Sequence, residues 1–360
     1  MLLNKRVTIK DIAMRADVSI GTVHCSLTGK PGVGEETRQK VMAIAKEMGY
    51  RPNSMAASLK RKTVRIVAAL PGPDNDNRFY FTYVWEGVRD CLAAMHEYNI
   101  EVRELPFYND AEGLQEELGR IAGEDGIDGL LTLGYADRGC KTALRRIHKR
   151  GIPMVLVGSD VPQSGRLCCV QPNYDIIGRT MAELISWQAP AGDILLCAGN
   201  LLTPSHFQIV LGFEAYLKEK GLSRRLVRVH DDGRLDDVYG AVMDGLRRNG
   251  DVSVCCCVNA RGSVMLGRAL EDSGRAGSIP AIGCDVFEEN LDFLERGTFC
   301  NLIHKDPYSQ AYMATKALVE HLLKGEVLSQ EIVYVGSEML FRSHLPLFRS
   351  GKRSFNALLA

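Results

Sequence analysis

The residues best arranged to contact a partner lie in the segment 18–25, which reads V-S-I-G-T-V-H-C. If the chain is helical from Ser19 onward, Val23 and Leu27 share the face that turns inward. The stripe left free for a partner then carries Ile20, Gly21, His24 and Cys25. In a helix-turn-helix, such a stripe on the second helix reads the major groove of DNA.

The flanking segments supply the rest of that motif. Apolar residues recur at helical spacing on both sides, first as Ile9, Ile12, Ala13 and Ala16, and then as Val41, Ile44, Ala45 and Met48. Thr8 and Ser19 each precede a helical pattern, and each offers an oxygen that can cap backbone N–H groups. The sequence therefore predicts a small all-α domain that positions the stripe.

Charge is divided unevenly along the chain. Residues 1–62 carry 12 Lys and Arg against 5 Asp and Glu, a net charge of +7, whereas residues 63–360 carry 32 against 39, a net charge of −7. A basic first domain favours phosphate contacts through counterion release, and an acidic body is repelled by the duplex. The plainer alternative is a solvated basic face on a small helical domain.

Composition limits the remaining possibilities. With 360 residues, of which 46% are hydrophobic and 24% charged, the chain is long enough for two or three globular domains. No apolar run approaches the roughly 18–20 residues that cross a bilayer, so we expect a cytoplasmic protein without a membrane partner. The 11 cysteines contain no C-x-x-C pair, and they sit in apolar runs as small hydrophobes. We expect neither a metal nor a cofactor.

After Lys62 the pattern changes to that of a parallel α/β protein. Short apolar runs alternate with amphipathic segments, and the runs are 65–70, 129–133, 154–158, 194–198, 252–258 and 279–283. Examples of the amphipathic segments are 175–188, 207–220, 235–249 and 308–324. This alternation predicts βαβ units in two lobes, with ligands bound at the carboxyl ends of the strands. Neither of the glycine-rich nucleotide-phosphate motifs is present.

These motifs carry a family resemblance along nearly the whole chain. The first domain reads V-T-I-K-D-I-A at 7–13, V-S-I-G-T-V at 18–23, E-T-R-Q-K-V at 36–41, G-Y-R-P-N at 49–53 and A-A-S-L at 56–59. The body contains G-D-I-L-L-C-A-G at 192–199, G-F at 212–213, G-C-D at 283–285 and K-D-P-Y-S-Q-A-Y at 305–312. The chain resembles the LacI/GalR family of bacterial transcription regulators.

The resemblance implies a helix-turn-helix domain and a two-lobed α/β core like that of periplasmic binding proteins, with parallel sheets. The implied boundaries are 1–52 for the DNA-binding domain, 53–62 for a hinge helix, 63–345 for the ligand-binding and dimerisation core, and 346–360 for a short tail. The hinge would push Leu59 into the minor groove. An ordinary linker helix is the alternative for that segment.

The resemblance also implies the DNA-contacting residues, which are Lys10, Ser19, Ile20, Gly21, Thr22, His24, Cys25, Asn53 and Leu59. One departure concerns Cys25, where the family pattern T-V-S-R-x-L commonly places arginine. Cysteine cannot reproduce the bidentate contact of arginine to guanine. His24 either takes over part of this readout or is a solvated surface residue.

For a small-molecule effector, the resemblance points to Tyr80, Phe81, Asp160, Asn173, Asn259, Asp285 and Lys305. Planar polar groups suit hydroxyls, which both donate and accept. Asn173 and Asp285 have an alternative role as helix caps. The family pattern commonly has arginine where Ile209 stands and glutamine where Lys305 stands, so we expect a sugar phosphate or sugar acid to meet Lys305.

Together these features predict a ligand-responsive DNA-binding regulator, a repressor of carbohydrate-utilisation genes that binds operator DNA as a homodimer. One alternative is a cytoplasmic sugar-binding sensor without DNA activity. Another is an enzyme on the same fold, whose only candidate catalytic residues are His304-Lys305-Asp306 and the cysteine runs. Neither places a nucleophile beside a base at a recognisable spacing, so we expect no catalytic activity.

Overall fold

The computed structural model describes residues 7–48, 50, 63–189, 191–231, 235–326 and 329–349. The chain divides into two compact units, and the second begins at Val64. The predicted hinge, with Asn53 and Leu59, lies outside the described residues.

Three helices form the first unit: α1 (Ile9–Ala16), α2 (Ile20–Thr28) and α3 (Glu35–Glu47). Both predicted caps are confirmed. The Thr8 hydroxyl accepts from the backbone N–H of Asp11, whose carboxylate accepts in return from the N–H of Thr8 at 2.7 Å. Ser19 Oγ accepts from the N–H of Thr22 at 3.0 Å. Such caps satisfy N–H groups that a helix start leaves unpaired.

A small apolar core joins the three helices. Ile12, Ala16, Val23 and Val41 are fully buried in it. The other end of α2 is held by Arg38 of α3, which donates to the carbonyls of Cys25 at 3.1 Å and Lys30 at 2.8 Å. The start of α2 is therefore capped, its end is tied to α3 and its inner face is buried, so the domain supports its outward side chains.

The second unit alternates strands and helices, as the sequence predicts. The strands are β1 (Val64–Pro71), β2 (Ile100–Phe107), β3 (Gly129–Thr132), β4 (Met154–Val157), β5 (Cys168–Gln171), β6 (Asp193–Gly199), β7 (Leu226–His230), β8 (Val252–Cys257), β9 (Ala281–Cys284), β10 (Asn301–His304), β11 (Ile332–Tyr334) and β12 (Glu338–Leu340). The helices are α4 (Arg78–Ala94), α5 (Ala111–Ile121), α6 (Arg138–Lys149), α7 (Tyr174–Gln188), α8 (Pro204–Glu219), α9 (Leu235–Arg248), α10 (Ala260–Asp272), α11 (Glu288–Arg296), α12 (Pro307–Lys324) and α13 (Leu345–Arg349).

Two six-stranded sheets organise these elements into two lobes. In lobe 1 the strand order is β11-β5-β4-β3-β1-β2, and in lobe 2 it is β12-β10-β9-β8-β6-β7. Every neighbouring pair is parallel except β10 and β12, which are antiparallel. The central strands are buried along their whole length, as expected for sheets covered on both faces. The two-lobed fold is confirmed.

The chain passes between the lobes three times, from β5 to α7, from β10 to α12, and from β11 to β12. Helix α12 returns to lobe 1, where Ala311, Ala314 and Leu318 enter its core. The second passage contains Lys305 and Asp306. A predicted site residue therefore lies where the lobes are joined.

All the strands and helices predicted from the body occur, with ends that differ by at most three residues. The shorter or half-exposed strands β2, β5, β7, β10, β11 and β12 are elements that sequence patterning did not identify. The segment 345–349 crosses the predicted boundary at 345, because it forms α13 and Arg349 pairs with Glu288, Asp292 and Glu295 of α11. No helix in the described ranges is both long and apolar enough to cross a membrane.

Helices α7 and α8 pack at unusually close range through two glycines. A Cβ at Gly178 would lie 2.0 Å from the carbonyl oxygen of Ile209, and one at Gly212 would lie 2.3 Å from that of Asp175. These are backbone atoms, so a side chain there forces the helices apart. The close contact between the helices therefore requires the glycine of the G-F motif at 212–213.

We predict that Gly212→Ala lowers the free energy of unfolding of the body by about 1–3 kcal/mol, the usual cost of overpacking. The matched control is Gly240→Ala in α9, where a Cβ meets nothing within 4 Å. Removing an exposed helical glycine there should raise stability by about 0.5–1 kcal/mol. Urea unfolding followed by circular dichroism measures both; equal effects would disprove the close-contact account.

Candidate functional site

The outward side of α2 carries the side chains that the sequence places there. Ile20 is half exposed, Gly21 and His24 are exposed, and Thr22 and Cys25 are partly exposed, whereas Val23 is buried. Lys10 on α1 is exposed as well. The helix therefore has an exposed apolar and polar stripe backed by a closed core.

Two of the predicted DNA-contacting residues have a local structural task. The hydroxyls of Ser19 and Thr22 lie 2.9 Å apart, and Ser19 Oγ also caps the helix start. This pairing orients both hydroxyls at the first turn of α2, which is the end that a helix-turn-helix directs toward base edges.

A cleft opens between the two lobes of the body. Its empty volume is about 920 Å³, part of which is open to solvent. Residues that line it follow the carboxyl ends of β4, β6, β7, β8, β9 and β10, namely Gly158, Ser159, Asn200, Asp231, Asn259, Asp285 and Lys305. The carboxyl ends of strands from both sheets converge there, as in other open α/β sheets that bind ligands.

Five of the seven predicted effector residues line this cleft: Tyr80, Phe81, Asn259, Asp285 and Lys305. Tyr80 and Phe81 come from α4 of lobe 1, and the other three come from lobe 2 and the passage after it. The cleft therefore has one aromatic wall and one polar wall, a combination that suits the apolar and hydroxyl faces of a sugar ring.

The other two predicted effector residues are not among the lining residues. Asp160 pairs with the buried Arg166, whose Nη2 lies 2.8 Å from Asp160 Oδ2. Asn173 Oδ1 accepts from the N–H of Ile176 at 3.1 Å and so caps α7. For Asn173 the structure thus supports the capping alternative, and Asp160 has an ion-pair partner that its sequence neighbourhood does not reveal.

Lys305 and Asp285 form a buried ion pair in the cleft wall. Lys305 Nζ lies 3.1 Å from Asp285 Oδ2 and donates to the carbonyl of Val258, also at 3.1 Å. The ammonium group is 5.3 Å from the centre of the Tyr80 ring. Burial by itself would lower the pKa of Lys305, but the charge of Asp285, together with Cys284, Tyr80 and the hydrogen bond to Asp285, outweighs burial, and the pKa is raised.

Asp285 is also held in an unusual backbone conformation. Its φ of 69° lies in the left-handed region, which is uncommon for residues other than glycine. Asn290 Nδ2 fixes this turn by donating to the carbonyls of Cys284 at 2.7 Å and Asp285 at 2.9 Å. The helix after this turn, α11, is capped at Phe287 and not at Asp285. Such strain clusters at functional sites, where the surrounding structure maintains it.

Sequence reasoning missed most of the other lining residues, among them Asp231, Arg261 and His206. Asp231 follows β7, a half-exposed strand with weak patterning, and Arg261 stands two residues after Asn259. Arg261 Nε donates to Asp231 Oδ2 at 2.6 Å, and Asn259 Nδ2 donates to the same oxygen at 2.9 Å. The only signal in the sequence is their position just after strand ends.

His206 lies in the first turn of α8, and its Nδ1 is 3.2 Å from both the backbone N and the carbonyl O of Asn200. Burial, and after it the charge of Lys305, lowers the pKa of His206 to about 3. The ring is therefore neutral at physiological pH. Ile209, one turn further, is fully buried in the core behind the cleft and takes no part in the lining.

We predict that His206 makes the body less stable as pH falls. Its pKa is about 3 when folded and 6.5 when free, so the unfolded chain binds the proton first and stability is lost as pH drops below 6.5. His206→Asn should flatten the dependence by up to about 1.4 kcal/mol per pH unit, the limit for one group.

Urea unfolding between pH 7 and pH 4.5 measures this dependence. The charged groups that act on His206 are Lys305, Asp231 and Arg261, and His304, whose pKa burial also lowers, contributes with the same sign. The difference in pH dependence between the wild type and the variant gives the contribution of His206. Identical slopes of unfolding free energy against pH for the two proteins would contradict its low pKa.

Family models match both units. The periplasmic binding protein domain matches residues 66–326, and the model for bacterial regulatory proteins of the lacI family matches residues 8–53. Curated relatives include catabolite control protein A of Priestia megaterium, 29% identical over 61% of this chain and 63% of that protein. Another is the HTH-type transcriptional regulator RegA of Clostridium saccharobutylicum, 35% identical over 42% of this chain and 43% of that protein. Each match spans less than two thirds of the relative's own length.

Solved structures share the fold. The glucose-galactose binding protein GanP of Geobacillus stearothermophilus is 19% identical, with a TM-score of 0.72 over 80% of this chain and 100% of that one. The transcriptional regulator CelR, in complex with cellobiose, is 19% identical, with a TM-score of 0.63 over 93% of this chain and 98% of that one. The chain belongs, through its body, to the periplasmic binding protein domain family, whose model matches more than half of its residues, and this body follows a first domain that matches the lacI-family model of bacterial regulatory proteins.

Proposed function

We propose that this protein is a ligand-responsive, sequence-specific DNA-binding regulator that represses carbohydrate-utilisation genes. The observation that carries the proposal is the outward stripe on α2, a helix that Ser19 caps at its start and that Arg38 of α3 holds at its end. Residues 1–62 add a net charge of +7, which favours binding to phosphates. As a regulator of DNA the protein would act in the cytoplasm.

The proposed DNA-bound form is a homodimer on a pseudo-palindromic operator. One nine-residue helix offers too small a contact area for specific binding, and two-fold symmetry doubles that area. Asn53 and Leu59 of the hinge keep their predicted contacts to DNA as part of this proposal, with Leu59 in the minor groove.

The proposed effector binds in the interlobe cleft. Support comes from the aromatic wall of Tyr80 and Phe81 facing the polar wall of Asn259 and Asp285. It also comes from similar folds crystallised with sugars, such as the cellobiose complex of CelR. A bound effector shifts operator affinity only by its differential affinity for the two conformations, so operator DNA must change effector affinity by the same factor.

A sugar sensor without DNA activity is the less favoured function. A sensor of this kind would not need a basic three-helix domain whose second helix exposes Ile20 and His24. Single exposed apolar residues need no explanation, but an outward stripe on the second helix of this motif suits a groove-reading role.

We predict that the purified full-length protein selects a two-fold symmetric site from random duplex DNA, and that affinity falls steeply with salt concentration. Cys25→Arg should change the preferred base at one position in each half-site, with about 1–3 kcal/mol of discrimination, because arginine can bind guanine through two hydrogen bonds. Sequencing of the selected DNA measures both effects.

The matched control is Cys300→Arg, which adds the same charge at an exposed cysteine of the body. It should leave the selected sequence unchanged. Selection of DNA without symmetry, or the same base preference in wild type and Cys25→Arg, would contradict the proposed reading of DNA by α2.

A further inference from the structure

The cations that line the cleft are already engaged with carboxylates. Lys305 pairs with Asp285, and the two side chains are only 4% and 2% exposed. Arg261 pairs with Asp231, which is itself buried. An anionic ligand group would therefore have to separate one of these pairs to gain a cation.

Separation of the Lys305 pair is costly. A buried charge that loses its partner is strongly destabilising. Lys305 Nζ also donates to the Val258 carbonyl, and the Tyr80 ring lies over it. These contacts hold the ammonium group against the wall, so it is not a free anchor for phosphate or carboxylate.

The charges of the lining also disfavour an anion. They comprise three carboxylates, Asp76, Asp231 and Asp285, against two cations, Arg261 and Lys305. His206 is neutral because its pKa is about 3. The lining therefore carries a formal charge of −1, and the earlier expectation of an anionic ligand at Lys305 loses its physical basis.

One carboxylate oxygen of the pair is an unmet acceptor. Asp285 Oδ2 faces Lys305, whereas Oδ1 is buried and has no hydrogen-bond partner among the described residues. An unmet buried acceptor costs free energy that a ligand donor can recover. A hydroxyl group is a donor of this kind and brings no charge.

We propose that Lys305 is a built-in counter-ion that sets the charge preference of the cleft. It neutralises Asp285, so the lining has no unpaired cation for an acid or phosphate, and the cleft selects an uncharged polyhydroxylated molecule. One ligand hydroxyl donates to Asp285 Oδ1 after a small shift of this buried side chain. This inference rests on the proposed function only in placing the effector in the cleft. Lys305 acts through Asp285 as a specificity-determining residue.

The test compares uncharged sugars with matched anions: galactose with galacturonate, glucose with glucose 6-phosphate, and cellobiose with cellobionate. Calorimetric titration of the full-length wild type should show at least one uncharged sugar binding and its anion binding at least tenfold more weakly. Asp285→Asn leaves Lys305 uncompensated, so the ratio of the two dissociation constants should shift at least tenfold toward the anion.

Two further variants separate this role from a structural one. The double variant Asp285→Asn with Lys305→Gln removes both charges, so it should return to the wild-type preference. Asp160→Asn breaks a second buried pair, the one between Asp160 and Arg166. These two side chains are 6% and 5% exposed, respectively, and do not line the cleft. This variant should lower stability without shifting the ratio.

An anion that binds the wild type as tightly as its uncharged parent overturns the inference. So does a wild type that binds its selected DNA but none of the uncharged sugars, and this result leaves the proposed DNA-binding function standing. An unshifted ratio in a folded Asp285→Asn protein also overturns it. If that variant fails to fold, the wild-type ratio and the double variant decide the question.

Discussion

A lysine ammonium group can stay charged inside a protein only if opposite charge and hydrogen-bond acceptors surround it. Lys305 meets this condition through Asp285 and the carbonyl of Val258. The pair lies at the second passage between the lobes, in the wall of the cleft. The charge and hydrogen-bonding capacity of the cleft therefore depend on a contact made at the junction of the lobes.

The same junction connects the pair to lobe 1. The hydroxyl of Tyr80 donates to Gln310 Oε1 at 3.2 Å, and Gln310 Nε2 donates to the backbone carbonyl of Lys305 at 2.6 Å. Tyr80 belongs to α4, and Gln310 to the first turn of α12. A ligand that contacts Tyr80 or Asp285 thus acts on groups that also hold the two lobes together. This gives the cleft a physical route by which occupancy can bias lobe arrangement.

The helix-turn-helix unit depends on contacts that hold the short helix α2 in place. A helix of nine residues is marginal alone, yet α2 must present its outer side chains in one geometry. Ser19 caps an N–H group at one end, and Arg38 of α3 donates to a carbonyl at the other. Val23 then anchors the inner face. The outer side chains are consequently free to vary, as the replacement of the family's common arginine by Cys25 illustrates.

The sequence by itself determined the elements whose signals are local. Caps at Thr8 and Ser19, the buried face of Val23, and the central strands of both sheets follow from spacing and residue type, because each depends on neighbours within a few positions. The location of the cleft also followed, since parallel strands bring their carboxyl ends to one edge. For the same reason five of the seven effector candidates line it.

Only the tertiary structure decided which of those polar side chains are available to a ligand. Asp160 and Asp285 look alike in sequence, as each follows a strand end, but Arg166 engages the first outside the cleft, whereas Lys305 pairs with only one oxygen of the second and leaves the other unmet. Lys305, seen alone, suggested an anionic ligand; its pairing with Asp285, 20 residues earlier in the sequence, is the basis on which we propose an uncharged one. Charge complementarity depends on distance in space, and residue spacing along the chain does not encode that distance.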